Sequence, residues 1–116
     1  MDKELLNKNK LQNSKFYEGK REDINIKLEY INKENLSNED LSNLYFYNCI
    51  IDESTFRKAN LTNCRFIECT IRNCNFSKAN LTNVEFSRCS IINNDFRNIE
   101  GNLETIMSYV SNNAGF

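Results

Sequence analysis

Residues 41–60 read LSNLYFYNCIIDESTFRKAN, residues 61–80 read LTNCRFIECTIRNCNFSKAN and residues 81–100 read LTNVEFSRCSIINNDFRNIE. Every fifth residue from Leu41 to Phe96 is Leu, Phe or Ile, without exception. An α-helix places apolar residues about 3.6 positions apart, and a half-buried strand places them about 2 apart. The five-residue period therefore predicts a repeating backbone path that is neither one helix nor one strand.

A longer period of 20 residues is superimposed on the five-residue one. The apolar centres follow the order Leu, Phe, Ile, Phe three times, and residues 58–63 return unchanged as residues 78–83. Four pentapeptides therefore form one coil with four sides. The residue two positions before each centre is mostly small, and all five cysteines occupy this column. We expect one large and one small residue to fill each side, while the other three positions face solvent.

The residue two positions after each centre falls where a corner is needed. Seven of these twelve residues are Asn, which tolerates the positive φ of a type II turn better than other non-glycine residues. The remaining corners carry Glu, Lys or Arg, as at Glu53, Lys58 and Arg88. We therefore predict mixed turns, with positive φ at Asn corners such as Asn63 and negative φ at the charged corners.

The motif Ala-Asn-Leu at residues 59–61 and 79–81 resembles that of pentapeptide-repeat proteins, in which Ala and then Asp or Asn precede a central Leu or Phe. The resemblance spans residues 41–100. It implies an all-β solenoid, a right-handed quadrilateral β-helix, with about three coils in this chain. Cys and Val replace Ala at several positions of the small column, and Gly is nearly absent from the corners.

The segments on either side are predicted to close the open ends of the solenoid, so the chain divides into residues 1–40, 41–100 and 101–116. Residues 24–30 alternate apolar and polar side chains, which predicts a strand that caps the first coil. We place the start of the regular coils near Leu41, because an earlier start would put Glu34 and Glu39 in the small inward column.

An amphipathic helix is predicted over residues 103–112, with Asn102 as its N-cap. Its apolar side chains are candidates for covering the last coil or for pairing with a second copy of the chain, as terminal segments do in some family members. These candidates are Leu103, Ile106, Met107, Tyr109 and Val110.

Five thiols raise the question of metal or redox chemistry. Zinc sites use four tetrahedral ligands with close paired spacings, whereas these cysteines recur in five-residue steps and the chain has no His. We interpret them as compact buried residues whose pKa is raised by burial, and we predict no metal and no cofactor. Without His, a Gly-rich phosphate loop or an exposed nucleophile, we also expect no catalytic residues and no enzyme activity.

The best-known activity that the resemblance implies is mimicry of duplex DNA by rods that bind type II topoisomerases such as gyrase, which is the alternative function. Three coils would stack to roughly 15 Å, under half of one turn of DNA at about 34 Å. Residues 41–100 carry seven basic and six acidic side chains, a net charge of +1, and the whole chain carries −1. A short, neutral rod is a poor mimic of DNA, and it is not expected to bind nucleic acid directly.

The favoured function is therefore a structural or protein-interaction module, whose partner the sequence does not name. Four outward positions that break the polar rule are candidates for the contact: Tyr45, Tyr47, Ile67 and Ile92, with Ile50 beside them. Either the N-terminal strand covers this surface, or it contacts a protein partner or a second copy in a homodimer. No apolar run could span a membrane and the first residues lack a signal-peptide pattern, so we expect a cytoplasmic protein without a membrane partner.

Overall fold

The computed structural model describes residues 4–5, 25–27 and 29–102. The strands in these ranges are β1 (Glu4–Leu5), β2 (Asn25–Lys27), β3 (Glu29–Asn32), β4 (Tyr45–Tyr47), β5 (Ile50–Asp52), β6 (Arg65–Ile67), β7 (Thr70–Arg72), β8 (Glu85–Ser87) and β9 (Ser90–Ile92). They form two parallel sheets, one ordered β2-β4-β6-β8 and the other β1-β3-β5-β7-β9. Consecutive strands alternate between the sheets, so the chain winds as an all-β solenoid.

The register of both sheets is 20 residues, as the sequence period predicts. Phe46 pairs with Phe66 in the first sheet, and Ile51 pairs with Ile71 in the second. Isolated parallel bridges such as Thr55 with Asn75 and Asn60 with Asn80 connect the rest of each coil at the same offset. Each coil therefore has four sides, numbered here from the side that contains β4, and three coils follow one another between residues 41 and 100.

The third and fourth sides lack continuous strands because local hydrogen bonds replace part of the ladder. The residue before the centre on these sides is usually Asn, Asp or Thr, and its side-chain oxygen accepts a hydrogen bond from the backbone N–H two residues later. Asn60 Oδ1, for example, accepts from the backbone N–H of Thr62 at 3.1 Å, and Asn75 Oδ1 accepts from that of Ser77 at 2.8 Å. Such Asx turns compete with sheet pairing, which explains why only bridges remain here.

The core consists of stacked columns of identical or similar side chains. Phe46, Phe66 and Phe86 stack on the first side with centroid distances of 4.7 and 5.2 Å. A second stack on the third side joins Phe76 to Phe56 at 4.9 Å and to Phe96 at 5.1 Å. The Leu and Ile centres of the other two sides are likewise buried. Because each ring packs on the ring of the next coil, burial and stacking stabilise neighbouring coils together.

Two polar residues in the small inward column are buried, and both have hydrogen-bond partners. Asn94 Oδ1 accepts from the backbone N–H of Cys74 at 2.9 Å, and its amide nitrogen donates to the Ile71 carbonyl at 2.9 Å. The Ser54 hydroxyl accepts from the backbone N–H of Glu34 at 3.1 Å and donates to the Asp52 carbonyl at 3.0 Å. A buried polar side chain is tolerated in this column because the backbone of the adjacent coil supplies its partners.

The prediction of mixed turns is wrong, because every corner has positive φ whatever its residue. Glu53, Lys58 and Arg88 have φ of 51°, 61° and 54°, against 64° at Asn63. From Lys33 to Lys78 the backbone N–H of each corner residue donates to a carbonyl of the next coil, as Lys58 N does to Ser77 O at 3.0 Å. These inter-coil bonds require one backbone geometry in every coil, so tertiary pairing overrides the preference of the individual residue.

The regular register begins earlier than the expected start near Leu41. Ile31 and Leu36 are buried at centre positions, and Asn35 bridges to Thr55 in the usual 20-residue register. Glu34 and Glu39 do not prevent this earlier start, because both remain half exposed in the small column. An unpaired buried carboxylate is thereby avoided.

The strand predicted over residues 24–30 is replaced by β2 and β3, which continue the two sheets rather than forming a separate cap. β2 pairs with β4, and β3 pairs with β5 through Ile31 and Ile51. Tyr30, the last residue of the predicted strand, belongs to β3, where it is half-buried and lies in register with the outward Ile50.

The Leu column of the fourth side ends at Gly101. This residue lies 20 positions after Leu81 and has a φ of 124°, and a Cβ there would meet the backbone carbonyl group of Leu81 at 3.0 Å. Only glycine can bring the backbone this close in this conformation. The predicted helix over residues 103–112, with its candidate capping or dimer contacts, lies outside the described residues.

Candidate interaction surface

The surface of the solenoid is organised as straight columns, because each outward side chain lies beside the one 20 residues later. On the first side the column before the centres reads Tyr45, Arg65 and Glu85. The column after the centres reads Tyr47, Ile67 and Ser87. Any surface feature is therefore determined by two or three residues in register.

An apolar surface, the tyrosine patch, lies around the corner that joins the first and second sides. It consists of Tyr45, Tyr47, Ile50 and Ile67. The first three are half-buried, while Ile67 is only 6% exposed although it is not part of the central core cluster. The structure thus brings together three of the four predicted contact residues, along with Ile50. The prediction of Ile67 as a direct contact is wrong, because its side chain is buried beneath the patch surface.

Charged groups adjoin the tyrosine patch on the first side. The Arg65 guanidinium lies 5.2 Å from the centroid of the Tyr45 ring, and its Nε donates to Glu85 Oε1 at 3.0 Å. The cation therefore contacts an aromatic face on one coil and a carboxylate on another. This arrangement was not predicted from the sequence, although the 20-residue spacing of Tyr45, Arg65 and Glu85 indicates that they are neighbours.

Ile92 does not belong to this patch. It lies on the second side in the column of Asp52 and Arg72, after the centre of β9. The tyrosine patch instead adjoins the start of the second side at Ile50. Ile92 is thus half-buried on a separate part of the surface, next to an ion pair between Arg72 Nε and Asp52 Oδ2 at 3.1 Å.

Ion pairs neutralise most of the carboxylates on the coils. Arg65 binds Glu85, Arg72 binds Asp52, and Arg88 Nη2 binds Glu68 Oε2 at 2.9 Å, each time between adjacent coils. Arg97 Nη2 lies 2.7 Å from Asp95 Oδ2, and its hydrogen bonds lower the pKa of that carboxyl. These exposed pairs contribute little stability individually, but they remove isolated negative charge from the surface.

The five thiols have different environments, although the sequence predicts that all of them are buried with a raised pKa. Burial raises the pKa of Cys74 to about 12. Hydrogen bonds with the thiols of Cys49 and Cys89 raise the pKa of Cys69, and burial raises it further. Cys89 contradicts the expectation: it is half-buried, and a hydrogen bond from Cys69 lowers its pKa to about 7 against the opposing effect of burial.

The described residues offer no metal centre, since no group of three or more His, Cys, Asp or Glu is arranged there to hold an ion. In the same ranges, no helix is long and apolar enough to cross a membrane.

Fold and surface together define a β-solenoid built from five-residue repeats, with a stacked apolar core and variable outward columns. The family model described as the pentapeptide repeat region matches residues 39–106. The chain belongs to this family. No curated protein matches the sequence.

Solved structures support the same fold. Full-length QnrB1, a plasmid-mediated fluoroquinolone resistance protein, has a TM-score of 0.65 and 20% identity, over 83% of this chain and 43% of that chain. A trypsin-treated variant of QnrB1 has a TM-score of 0.63 and 21% identity, over 69% of this chain and 42% of that chain. This chain thus spans less than half the length of the QnrB1 chains that it matches, and identities at this level show a shared fold alone.

Proposed function

We propose that this chain is a non-enzymatic protein-interaction module that contacts its partner through the tyrosine patch. The observation that carries the proposal is the break in the polar rule around one corner. Elsewhere on the four sides the outward columns consist mainly of Asn, Ser, Thr and ion-paired charged residues. At this corner Tyr45, Tyr47, Ile50 and Ile67 replace them on two adjacent coils.

The chemistry of the patch is that of a protein interface. Tyrosine combines a large apolar ring with a hydroxyl, and it is enriched where proteins meet. Arg65 and Glu85 lie along one edge of the patch, which gives an apolar centre with a charged rim. A rim of this kind excludes water and orients the partner more than it adds affinity.

The test compares two substitutions of the same type at half-buried outward positions. Tyr47→Asp introduces a charge into the patch, whereas Thr62→Asp introduces it on the fourth side, away from the patch. Ile67 is left unchanged because it is nearly inaccessible. The two variants and the original chain are compared by sedimentation velocity, for association of copies, and by affinity capture from the host extract.

We expect Tyr47→Asp to lose a self-association or a captured protein that Thr62→Asp retains. Both variants should unfold at similar urea concentrations, which excludes loss of the fold as the cause. If Tyr47→Asp retains every association that the original chain shows, the tyrosine patch is not the contact surface.

The alternative is a short DNA mimic directed at a type II topoisomerase such as gyrase, and the fold shared with the fluoroquinolone resistance protein QnrB1 favours it. The ion pairs argue against it, because four of the six carboxylates in residues 41–100 are bound to arginine. Salt distinguishes the two functions: mimicry predicts that binding falls steeply as ionic strength rises, whereas contact through the tyrosine patch predicts a weak dependence.

Finer points of the proposal come from the resemblance and from the sequence. We propose a right-handed coil, as the family resemblance implies, and a cytoplasmic protein that binds neither nucleic acid nor membranes, as the charge and hydropathy of the sequence predict. Leu103, Ile106, Met107, Tyr109 and Val110 lie outside the described residues, and their predicted role is to cover the last coil or to join two copies. A truncation after Asn102 separates these roles, because loss of the cap lowers stability, whereas loss of a dimer contact changes the sedimentation coefficient alone.

A further inference from the structure

A basic edge runs along the corner between the third and fourth sides, and it consists of Arg57, Lys58 and Lys78. Lys58 and Lys78 occupy the corner position on adjacent coils, with φ of 61° and 60°, and both are exposed. Their corners are stacked, since the backbone N–H of Lys58 donates to the carbonyl of Ser77, which precedes Lys78. Arg57 is half-buried beside Lys58. Three cations therefore lie within two coils.

The basic edge differs from the other arginine sites in its lack of counter-charges. Arg65, Arg72, Arg88 and Arg97 each have a carboxylate within 3.1 Å, as described above. Throughout the described part of the chain, no carboxylate lies within ion-pair distance of the three cations of the basic edge.

The outward neighbours of the basic edge on the same two coils are neutral, which leaves its positive charge uncompensated. On the third side they are Thr55, Asn75 and Ser77, and on the fourth side they are Asn60 and Asn80. Asn60 and Asn80 accept hydrogen bonds from their own threonines, Thr62 and Thr82.

The arrangement of the two lysines is locally unfavourable. Adjacent strands or coils lie about 4.8 Å apart, and like charges directly opposite each other repel. The fold does not require like charges to be stacked at a corner. At the corner between the fourth and first sides the stacked residues are Asn43, Asn63 and Asn83, and the Asn63 amide donates to Asn43 Oδ1 at 3.1 Å. A local conflict of this kind is expected at a binding site, where a ligand of opposite charge removes the repulsion.

We propose that the basic edge binds an acidic polypeptide segment, whose Asp or Glu carboxylates bridge Lys58 and Lys78 and reach Arg57. A carboxylate can bridge two stacked lysines, because each ammonium group acts as a point charge that donates to one oxygen. The guanidinium of Arg57 can bind a second oxygen. Nucleic acid fits less well. Three cations fall short of the roughly 6–10 phosphate contacts of a protein with strongly salt-dependent DNA binding.

The basic edge is separate from the tyrosine patch. The patch surrounds the corner between the first and second sides, and the basic edge follows the corner between the third and fourth, diagonally across the coil. Contact at one surface therefore does not require contact at the other, and this inference can fail without affecting the proposed function.

The test measures the fluorescence anisotropy of a short fluorescein-labelled Glu-rich peptide titrated with the full chain at about 0.15 M salt. The test variant carries Lys58→Gln and Lys78→Gln. The matched control carries Arg65→Gln and Arg88→Gln, which removes the same charge from the other side of the coil.

We expect the lysine variant to lose about tenfold or more in affinity, the arginine variant to change less than about twofold, and Tyr47→Asp to have no effect. Equal weakening by both double variants would overturn the proposal, because it would indicate an unspecific charge effect. The absence of peptide binding by the original chain would also overturn it, as would tighter binding of a single-stranded oligonucleotide of equal charge. Far-UV circular dichroism establishes that every variant is folded.

Discussion

Replacing Phe76 by alanine tests the stacked core at the position where it is most constrained. The Phe76 ring is 0% exposed and lies between two rings, 4.9 Å from Phe56 and 5.1 Å from Phe96. Truncation of a buried Phe to Ala costs about 3–5 kcal/mol. Each stacked pair contributes about 0.5–1.5 kcal/mol beyond its buried area, so the loss of two pairs places Phe76→Ala in the upper half of that range.

Urea unfolding followed by far-UV circular dichroism measures this loss. With a slope of about 2 kcal/mol per molar urea, a loss of about 4 kcal/mol lowers the midpoint by roughly 2 M. Phe76→Leu retains much of the apolar volume but removes both stacked pairs, so it should cost about 1–3 kcal/mol. Arg57→Ala, a half-buried outward position without an ion pair, should stay within about 0.5 kcal/mol. A loss below about 1 kcal/mol for Phe76→Ala would refute the stacked core.

Three further predictions concern a corner, a buried amide and the thiols. Glu53→Asn should stabilise the chain by about 0.5–1 kcal/mol, since Asn tolerates the positive φ better; Glu53→Gln is the control for charge, and an equal gain there would contradict the reasoning. Asn94→Ala should cost about 1–3 kcal/mol because it leaves buried backbone groups unpaired, and an unchanged urea midpoint would show that they find other partners. Iodoacetamide should alkylate Cys89 first, at a rate that rises as pH passes about 7 because the thiolate is the nucleophile. Cys74, with its pKa raised to about 12, should stay unmodified, and peptide mapping that finds both thiols alkylated at the same rate would disprove this order.

The sequence predicted the parts of the fold that depend on one repeated physical requirement. The centres from Leu41 to Phe96 are buried as expected, because no other path satisfies a five-residue apolar period. The corners could not be predicted from residue preference. The φ at Glu53 is determined by the hydrogen bond between its N–H and the Arg72 carbonyl of the next coil, and this long-range constraint has no local signal in the pentapeptide.

The candidate surface was predicted in part. Tyr47 and Ile67 are both among the predicted contact residues, and their 20-residue spacing places them in register on adjacent strands. Ile92 was grouped with them by its apolar character, although it follows a centre on the second side. The lowered pKa of Cys89 was also missed, because membership of the inward column does not reveal that this thiol stays half exposed beside Cys69.

The division between inward and outward positions explains why the sequence predicts the fold but does not predict the function. Inward residues meet the same environment in every coil, so their types repeat and their period is visible. The neighbours of an outward residue on adjacent coils lie 20 positions away in the sequence. A surface such as Tyr47 with Ile67, or Lys58 with Lys78, therefore depends on two residues that are far apart in the chain. The residues of the tyrosine patch and of the basic edge are all neighbours only in the 20-residue register of the coils. The outward columns, rather than the repeat motif, therefore determine which partner such a short solenoid binds, and they are the residues to compare between such proteins.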